Sequence, residues 1–307
     1  MYVQKGYYVG IDVGTQSTRA ALVTKNGEIL GTASHPLKIW NPASDIYVQS
    51  SSDIWEACCQ CLSVMETEFM DYIYNLGLET GFTQSCVVAA REDDHNIILW
   101  MDHRATEEAQ MVSATSHPLL KYVGHTISLE MQPPKLLWLK KWLYPSATVD
   151  QTGLKEWDDF WSLIGLPELC QDNYSKIALV FSRNYRVCAG NHVIYPGQSC
   201  GDGLTAQAAK ELSLSPGVSV AGSMIDAYAG TLGKIYKWRA SALKYNCSNK
   251  RHLVISSLTS AAVHQVSDKE VVSPGVWGPY WSALLPDLWM MEAGQSAAGA
   301  LVTTVLL

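Results

Sequence analysis

The apolar run Tyr7-Tyr8-Val9-Gly10-Ile11-Asp12-Val13 reads as a buried strand, because β-branched and aromatic residues crowd it ahead of Gly14. A second apolar run, Ala20-Ala21-Leu22-Val23, follows a short polar turn. Lys25-Asn26-Gly27-Glu28 carries Asn-Gly, which predicts a type I′ hairpin, and Ile29 to Ser34 supplies a third strand. Ser50-Ser51-Ser52-Asp53 is an N-capping signal. Beyond it Ile54, Cys58, Leu62, Met65, Phe69 and Tyr72 recur at helical spacing and predict an amphipathic helix over 53–73. Asn96 to Met101 reads as a short buried strand, which Asp102-His103-Arg104 ends before opening a helix. Pro133-Pro134 starts another helix, and Trp157 to Ile164 forms one closed by Gly165 and Pro167. Thr205 caps a helix running to Leu212, and Val218 to Ala221 is a strand. Strands alternating with helices give an α/β class.

Composition narrows the class. Apolar residues make up 48% of the chain and charged ones 17%, a balance that builds a packed core. The net charge of −7 argues against a nucleic-acid surface. The basic stretch Lys234 to Arg251 therefore reads as a solvated loop. No transmembrane span or signal-peptide layout is visible. The eight cysteines show no disulfide framework. Cys58 and Cys61 have C-x-x-C spacing without a second pair, so they read as buried thiols on a helix face. Reduced thiols without an export signal place the expected location in the cytoplasm.

The turn after the first strand is the strongest chemical signal. Asp12 stands where the strand leaves the sheet. Gly14 is expected to turn the backbone tightly and present N–H groups. Those groups, with the Thr15, Ser17 and Thr18 hydroxyls, make a pocket for phosphate oxygens. Asp12 could hold Mg²⁺ through water. The competing reading is a hairpin whose Asp and hydroxyls satisfy turn amides. No Walker or dinucleotide glycine motif occurs. Asp226, ahead of Ala-Tyr-Ala-Gly, is either a helix cap or a proton acceptor. Lys135 follows Pro134, and reads as a phosphate or sugar contact or as a solvated lysine. Asp102 and Arg104 could pair with each other at a helix start. Glu292 follows Leu288-Trp289-Met290-Met291, an apolar setting in which an acid should be paired or functional.

Eight strings in order resemble the FGGY family of carbohydrate kinases. They are Gly10 to Thr15, Gln49 to Trp55, Trp100 to Ala105, Met131 to Leu139, Asp172 to Ile177, Ser223 to Gly230, Pro274 to Tyr280 and Glu292 to Ala297. The last two look most like the pentulose kinase branch, D-ribulokinase above all. The resemblance implies an actin-like ATPase (ribonuclease H-like) α/β fold and phosphorylation of a sugar by ATP with Mg²⁺. Residues 1–222 would form the N-terminal sugar-kinase domain, and 223–307 the start of a second. Asp226 matches the proton-accepting Asp. Asp12, Gly14, Thr15, Ser17 and Thr18 match the phosphate loop, with Thr259 and Ser260 in a second phosphate turn. Asp12 would be the metal-side carboxylate. Thr83, Trp100, Asp102, Arg104, Lys135, Asp226 and Glu292 fall on the sugar side. The expected partner is a small-molecule sugar, with a homodimer left open.

Departures from the family shape a second expectation. The glycine of the second phosphate turn is Leu258 here. Gly81-Phe82-Thr83 lacks the usual carboxylate, and the stretch Tyr144 to Lys155 looks short. Leu179 to Ala189 and Lys234 to Arg251 have no family counterpart. Family strings that hold adenine fall beyond Leu307. The alternative is therefore a catalytically inert sugar-kinase-like chain that binds a sugar or a partner.

Overall fold

The computed structural model describes residues 6–69, 76–82, 87–88, 95–131, 133–135, 137–138, 199, 201–221, 225–245, 252–257, 261–285 and 287–295. Contacts divide the chain into one unit of Met1–Leu99 with Ile194–Asp226, and another of Trp100–Val193 with Ala227–Leu307.

In the first unit, β1 (Tyr7–Val13), β2 (Ser17–Thr24) and β3 (Ile29–Pro36) form an antiparallel meander. β6 (Leu76–Phe82) adds parallel to β1, and β9 (Ser219–Ala221) adds parallel to β6. The sheet order is β3-β2-β1-β6-β9. Val9, Ile11 and Val13 alternate into the core with Ala20 and Leu22 of β2, and α1 (Ser51–Phe69) covers them with Ala57, Cys58, Cys61, Leu62 and Met65. Each buried Val, Ile, Leu or Met side chain contributes about 1.5–3 kcal/mol, so this layer is the unit's main source of stability. The capping signal is realised at Ser50, whose Oγ accepts the Asp53 N–H at 3.2 Å. The helix thus begins slightly before the predicted 53, and 70–73 lie outside the described residues.

The Asn-Gly hairpin forms with different geometry. Only Gly27, at φ +81°, takes positive φ, and its N–H donates to Thr24 O at 2.9 Å. Thr24 N–H donates to Glu28 O at 2.9 Å, and the β2–β3 register shifts between Leu22 and Val23. This is a three-residue loop with a glycine bulge, not a type I′ turn. The predicted strand Asn96–Met101 shrinks to β8 (Ile97–Ile98). Three short strands of a second sheet, β4 (Trp40–Ala43), β5 (Ile46–Gln49) and β7 (Val87–Val88), carried no sequence signal; its order is β4-β5-β8-β7.

α3 (Ala206–Glu211) is capped as expected, with Thr205 Oγ1 accepting the Ala208 N–H at 3.2 Å. Just before it, Gly203 has φ +88°, and a Cβ there would lie 2.5 Å from Val218 O and 2.7 Å from Gly217 O. Both obstacles are backbone. Gly203→Ala is expected to destabilise the chain by about 3 kcal/mol, whereas Gly27→Ala, with open space around it, should cost about 1 kcal/mol. Urea unfolding of the two variants checks the ranking, and equal losses would refute it.

In the second unit, α2 (Thr106–Ala114) and a 3₁₀ turn (Pro118–Tyr122) precede α4 (Asp226–Tyr245), whose first residue belongs to the other unit. β10 (His252–Ser257), β11 (Ala261–Ser267), β12 (Trp277–Trp281) and β13 (Trp289–Gln295) form an antiparallel sheet in the order β10-β11-β13-β12. Lys234 to Tyr245 thus belongs to a helix, not the expected solvated loop; 246–251 lie outside the described residues. The same holds for the helix expected at Trp157–Ile164 and for the stretch 179–189.

Candidate functional site

The β1–β2 turn is built by backbone anchors. The Gly14 N–H donates to Ser17 O at 3.0 Å, so that N–H is spent inside the turn instead of facing a ligand. Gly14 has no positive φ; its value lies in close approach, since a Cβ would stand 3.1 Å from Ser17 O. Gln49 Nε2 donates to Thr15 O at 2.8 Å, and Leu37 N–H donates to Gln16 O at 2.9 Å. In a trans peptide, C=O and the following N–H point oppositely. Anchoring these two carbonyls therefore fixes the direction of the Gln16 and Ser17 N–H groups, each pointing away from its own carbonyl's partner and set before any anion arrives. Thr15 is buried and Ser17 half-buried. Thr18 shares the β2 face of Ala20 and Leu22, fully buried, and its carbonyl accepts from Cys61 Sγ at 3.5 Å. It packs toward α1 and does not join the expected hydroxyl set.

Asp12 closes the same turn. One carboxylate oxygen pairs with Arg19 Nη2 at 2.6 Å. The other, Oδ1, is buried with no hydrogen-bond partner among the described residues. A buried carboxylate oxygen without a donor suits a hydrated cation, so the residues present fit Mg²⁺.

Cys58 and Cys61 are buried free thiols on α1. No group of three metal-ligating side chains occurs among the described residues. Burial, with the neighbouring Cys61 and Cys59 thiols, pushes the Cys58 thiol up to about 12. The ordinary value for a thiol is near 9, so the folded state favours the protonated form. The resulting stability is full below pH 9 and is lost as pH rises toward 12. Iodoacetamide at pH 8 should leave Cys58 unmodified in the native chain and label it in urea, read by peptide mass mapping. Native labelling at the unfolded rate would contradict the burial.

In the second unit, Asp102 is completely buried. Arg104 Nε and Nη2 donate to its two oxygens at 2.8 and 2.7 Å, and the Arg104 N–H also donates to Oδ1. Arg104 lies over the Trp138 ring at 5.0 Å. The expected pairing of these two charges is thus the one observed. Lys135 is neither solvated nor presented to a ligand: it is fully buried, and its Nζ donates to Trp100 O at 2.8 Å and Glu130 O at 3.4 Å.

Glu292 is buried on β13, opposite His264 of β11. Tyr228 OH donates to its Oε2 at 2.9 Å, and His264 Nε2 stands 3.6 Å from Oε1. Thr231 Oγ1 and His264 Nδ1 lie 2.8 Å apart, which fixes the ring. Glu292 was expected to be paired or functional, and pairing is what is seen. Tyr228, Thr231 and His264 carried no signal of this role. Asp226 stands in the first turn of α4, at the positive end of the helix dipole. Thr83, Thr259 and Ser260 lie outside the described residues.

Comparison with known proteins gives this geometry its setting. Residues 7–146 match the FGGY family of carbohydrate kinases, N-terminal domain. The chain belongs to the FGGY family. An FGGY carbohydrate kinase domain-containing protein of Xenopus laevis is 42% identical over 356 positions, covering 100% of this chain and 62% of that protein. Because 356 aligned positions exceed the 307 residues here, that relative carries stretches this chain lacks. Its Homo sapiens counterpart is 38% identical, and a D-ribulokinase of Saccharomyces cerevisiae is 30% identical over 96% of this chain and 49% of that enzyme. Among solved structures, xylulose kinase from Rhodospirillum rubrum superposes with a TM-score of 0.67 at 18% identity, covering 97% of this chain and 62% of that one. Gluconate kinase from Lactobacillus acidophilus gives 0.68 at 16% identity, over 98% and 62%. The FGGY chain described here therefore has the actin-like α/β fold of sugar kinases, and spans between about half and three fifths of the length of these relatives.

Proposed function

We propose that this FGGY chain takes part in ATP-dependent phosphorylation of a sugar, a pentulose such as D-ribulose. The observation that carries the reading is the β1–β2 turn, where Asp12 Oδ1 has no hydrogen-bond partner among the described residues and the Thr15 and Gln16 carbonyls are each anchored away from the N–H that follows them. In this reading Thr15 and Ser17 add hydroxyls to the phosphate contacts, and Asp12 holds Mg²⁺ through water. Bound there, Mg²⁺ would offset the negative charge of the phosphates. Thr259 and Ser260 supply the second phosphate turn. Asp226 accepts the proton of the attacking sugar hydroxyl, and Trp100, Arg104 and Thr83 are assigned to the sugar side, with Asp102 behind Arg104 orienting its guanidinium. The Asp102–Arg104 pair contributes as a rigid unit, and Lys135 by fixing the Trp100 carbonyl. Glu292 would meet the sugar from a carboxylate held by the Tyr228 hydroxyl, with His264 Nε2 3.6 Å from its other oxygen. D-ribulose is favoured because a D-ribulokinase is among the relatives.

We further propose residues 1–222 as the sugar-kinase domain and 223–307 as the opening of a second. The proposed location is the cytoplasm, and a homodimer is part of the same reading. No helix of the described residues is long and apolar enough to cross a membrane. The second reading, an inert sugar-binding chain, is favoured by Leu258, which stands where the resemblance expects the glycine of the second phosphate turn.

A polypeptide of these 307 residues is expected to bind D-ribulose more firmly than Mg·ATP, with kcat/KM below ~10⁴ M⁻¹s⁻¹. A coupled assay and calorimetry test this. Turnover above the Mg·ATP blank supports the kinase, sugar binding without turnover supports the inert chain, and binding of neither ligand refutes both.

A further inference from the structure

We propose that Gln49 is the positioning residue of the phosphate loop, acting through the Thr15 carbonyl; this rests on reading the β1–β2 turn as a phosphate site. Gln49 is 1% exposed, which in a polar side chain demands a defined partner. Its Nε2 donates to Thr15 O at 2.8 Å across 34 positions of sequence. The acceptor is a carbonyl, so the amide orientation is forced: only the nitrogen can serve.

The placement gives this bond its effect. Gln49 belongs to β5, pairing with Ile97 of β8, whereas the loop joins β1 and β2 of the other sheet. One side chain therefore ties the loop of one sheet to the backbone of another. Thr15 C=O and Gln16 N–H share a rigid peptide plane, so holding the oxygen aims the hydrogen. Leu37 N–H holds the next plane through Gln16 O. Without Gln49 the Thr15–Gln16 plane could rotate, and its N–H would no longer be held toward an incoming phosphate. Such pre-set donors add affinity because their ordering is complete before binding.

Gln49→Met keeps the length and removes the donor; Gln49→Glu keeps the shape and sets a carboxylate against the carbonyl. Both leave the β5 backbone pairing intact. In each, hydrogen exchange of the Gln16 and Ser17 amides should accelerate. Mg·ADP affinity should fall about tenfold, the loss of one hydrogen bond of ~1.4 kcal/mol. D-ribulose affinity should stay within twofold, a split that general destabilisation would not give. In the unsubstituted chain, one glutamine side-chain amide should be protected from exchange and shift when Mg·ADP is added. This signature stands even if both variants fail to fold. Unchanged loop exchange in a folded variant, an equal loss of sugar and nucleotide affinity, or absence of the protected amide would overturn the proposal. If the unsubstituted chain binds no Mg·ADP while the variants still loosen the loop, Gln49 keeps its anchoring role and the phosphate assignment falls.

Discussion

Asp226→Asn is expected to abolish sugar phosphorylation while leaving the fold in place. Asp226 opens α4, where its carboxylate meets the positive end of the helix dipole. Asn supports a helix start about as well as Asp, so the helix should survive the exchange. What Asn cannot do is accept a proton from an alcohol. Losing a positioned proton acceptor costs ~10²–10⁴ in rate. A coupled assay with D-ribulose and Mg·ATP reads the loss, and the midpoint of thermal unfolding reads the fold. Retention of more than half the activity would reduce Asp226 to a helix-start residue.

Gly14→Val should remove Mg·ATP binding and leave sugar binding intact. The Gly14 backbone does not need the left-handed region; it needs room. A Cβ would stand 3.1 Å from Ser17 O and 3.6 Å from Arg19 Nη2. Valine adds two further methyl groups with few allowed rotamers. The turn must open, breaking the Gly14–Ser17 hydrogen bond of 3.0 Å and displacing the Asp12–Arg19 pair. An affinity loss of at least tenfold is expected, equivalent to ~1.4 kcal/mol. Unchanged nucleotide affinity by calorimetry would take the turn out of the proposed mechanism.

The parts of this fold that follow from neighbours in sequence were legible in it. The run to Asp12, the Ser50 cap, the α1 spacing and the Thr205 cap each rest on contacts within a few residues, so local chemistry predicts them. The Asn26-Gly27 signal placed a hairpin but not its geometry, because the bulge depends on the register of β2 against β3. Short strands such as β4 and β5 have too few residues for a period to show. Burial of Lys135 was invisible because its partners are backbone carbonyls, which every residue carries. The bond of Gln49 leaves no mark in the sequence, since its partner, the Thr15 carbonyl, lies 34 positions away. The family strings found the polar residues of the Asp102 segment; only coordinates show which of them are occupied by one another.

The pairing of β9 with β6 bears on how this protein is made. Gly77, Leu78 and Glu79 meet Ser219, Val220 and Ala221 side by side. On a ribosome, β6 emerges some 140 residues before its neighbour. At roughly 5–20 residues per second, the growing chain holds an unpaired strand edge for on the order of ten seconds or more. During that interval the edge can recruit other nascent chains. Fragments cut before residue 219 would carry the same open edge permanently, so those ending soon after residue 146, where the family match stops, should aggregate more than ones extended past Ala221.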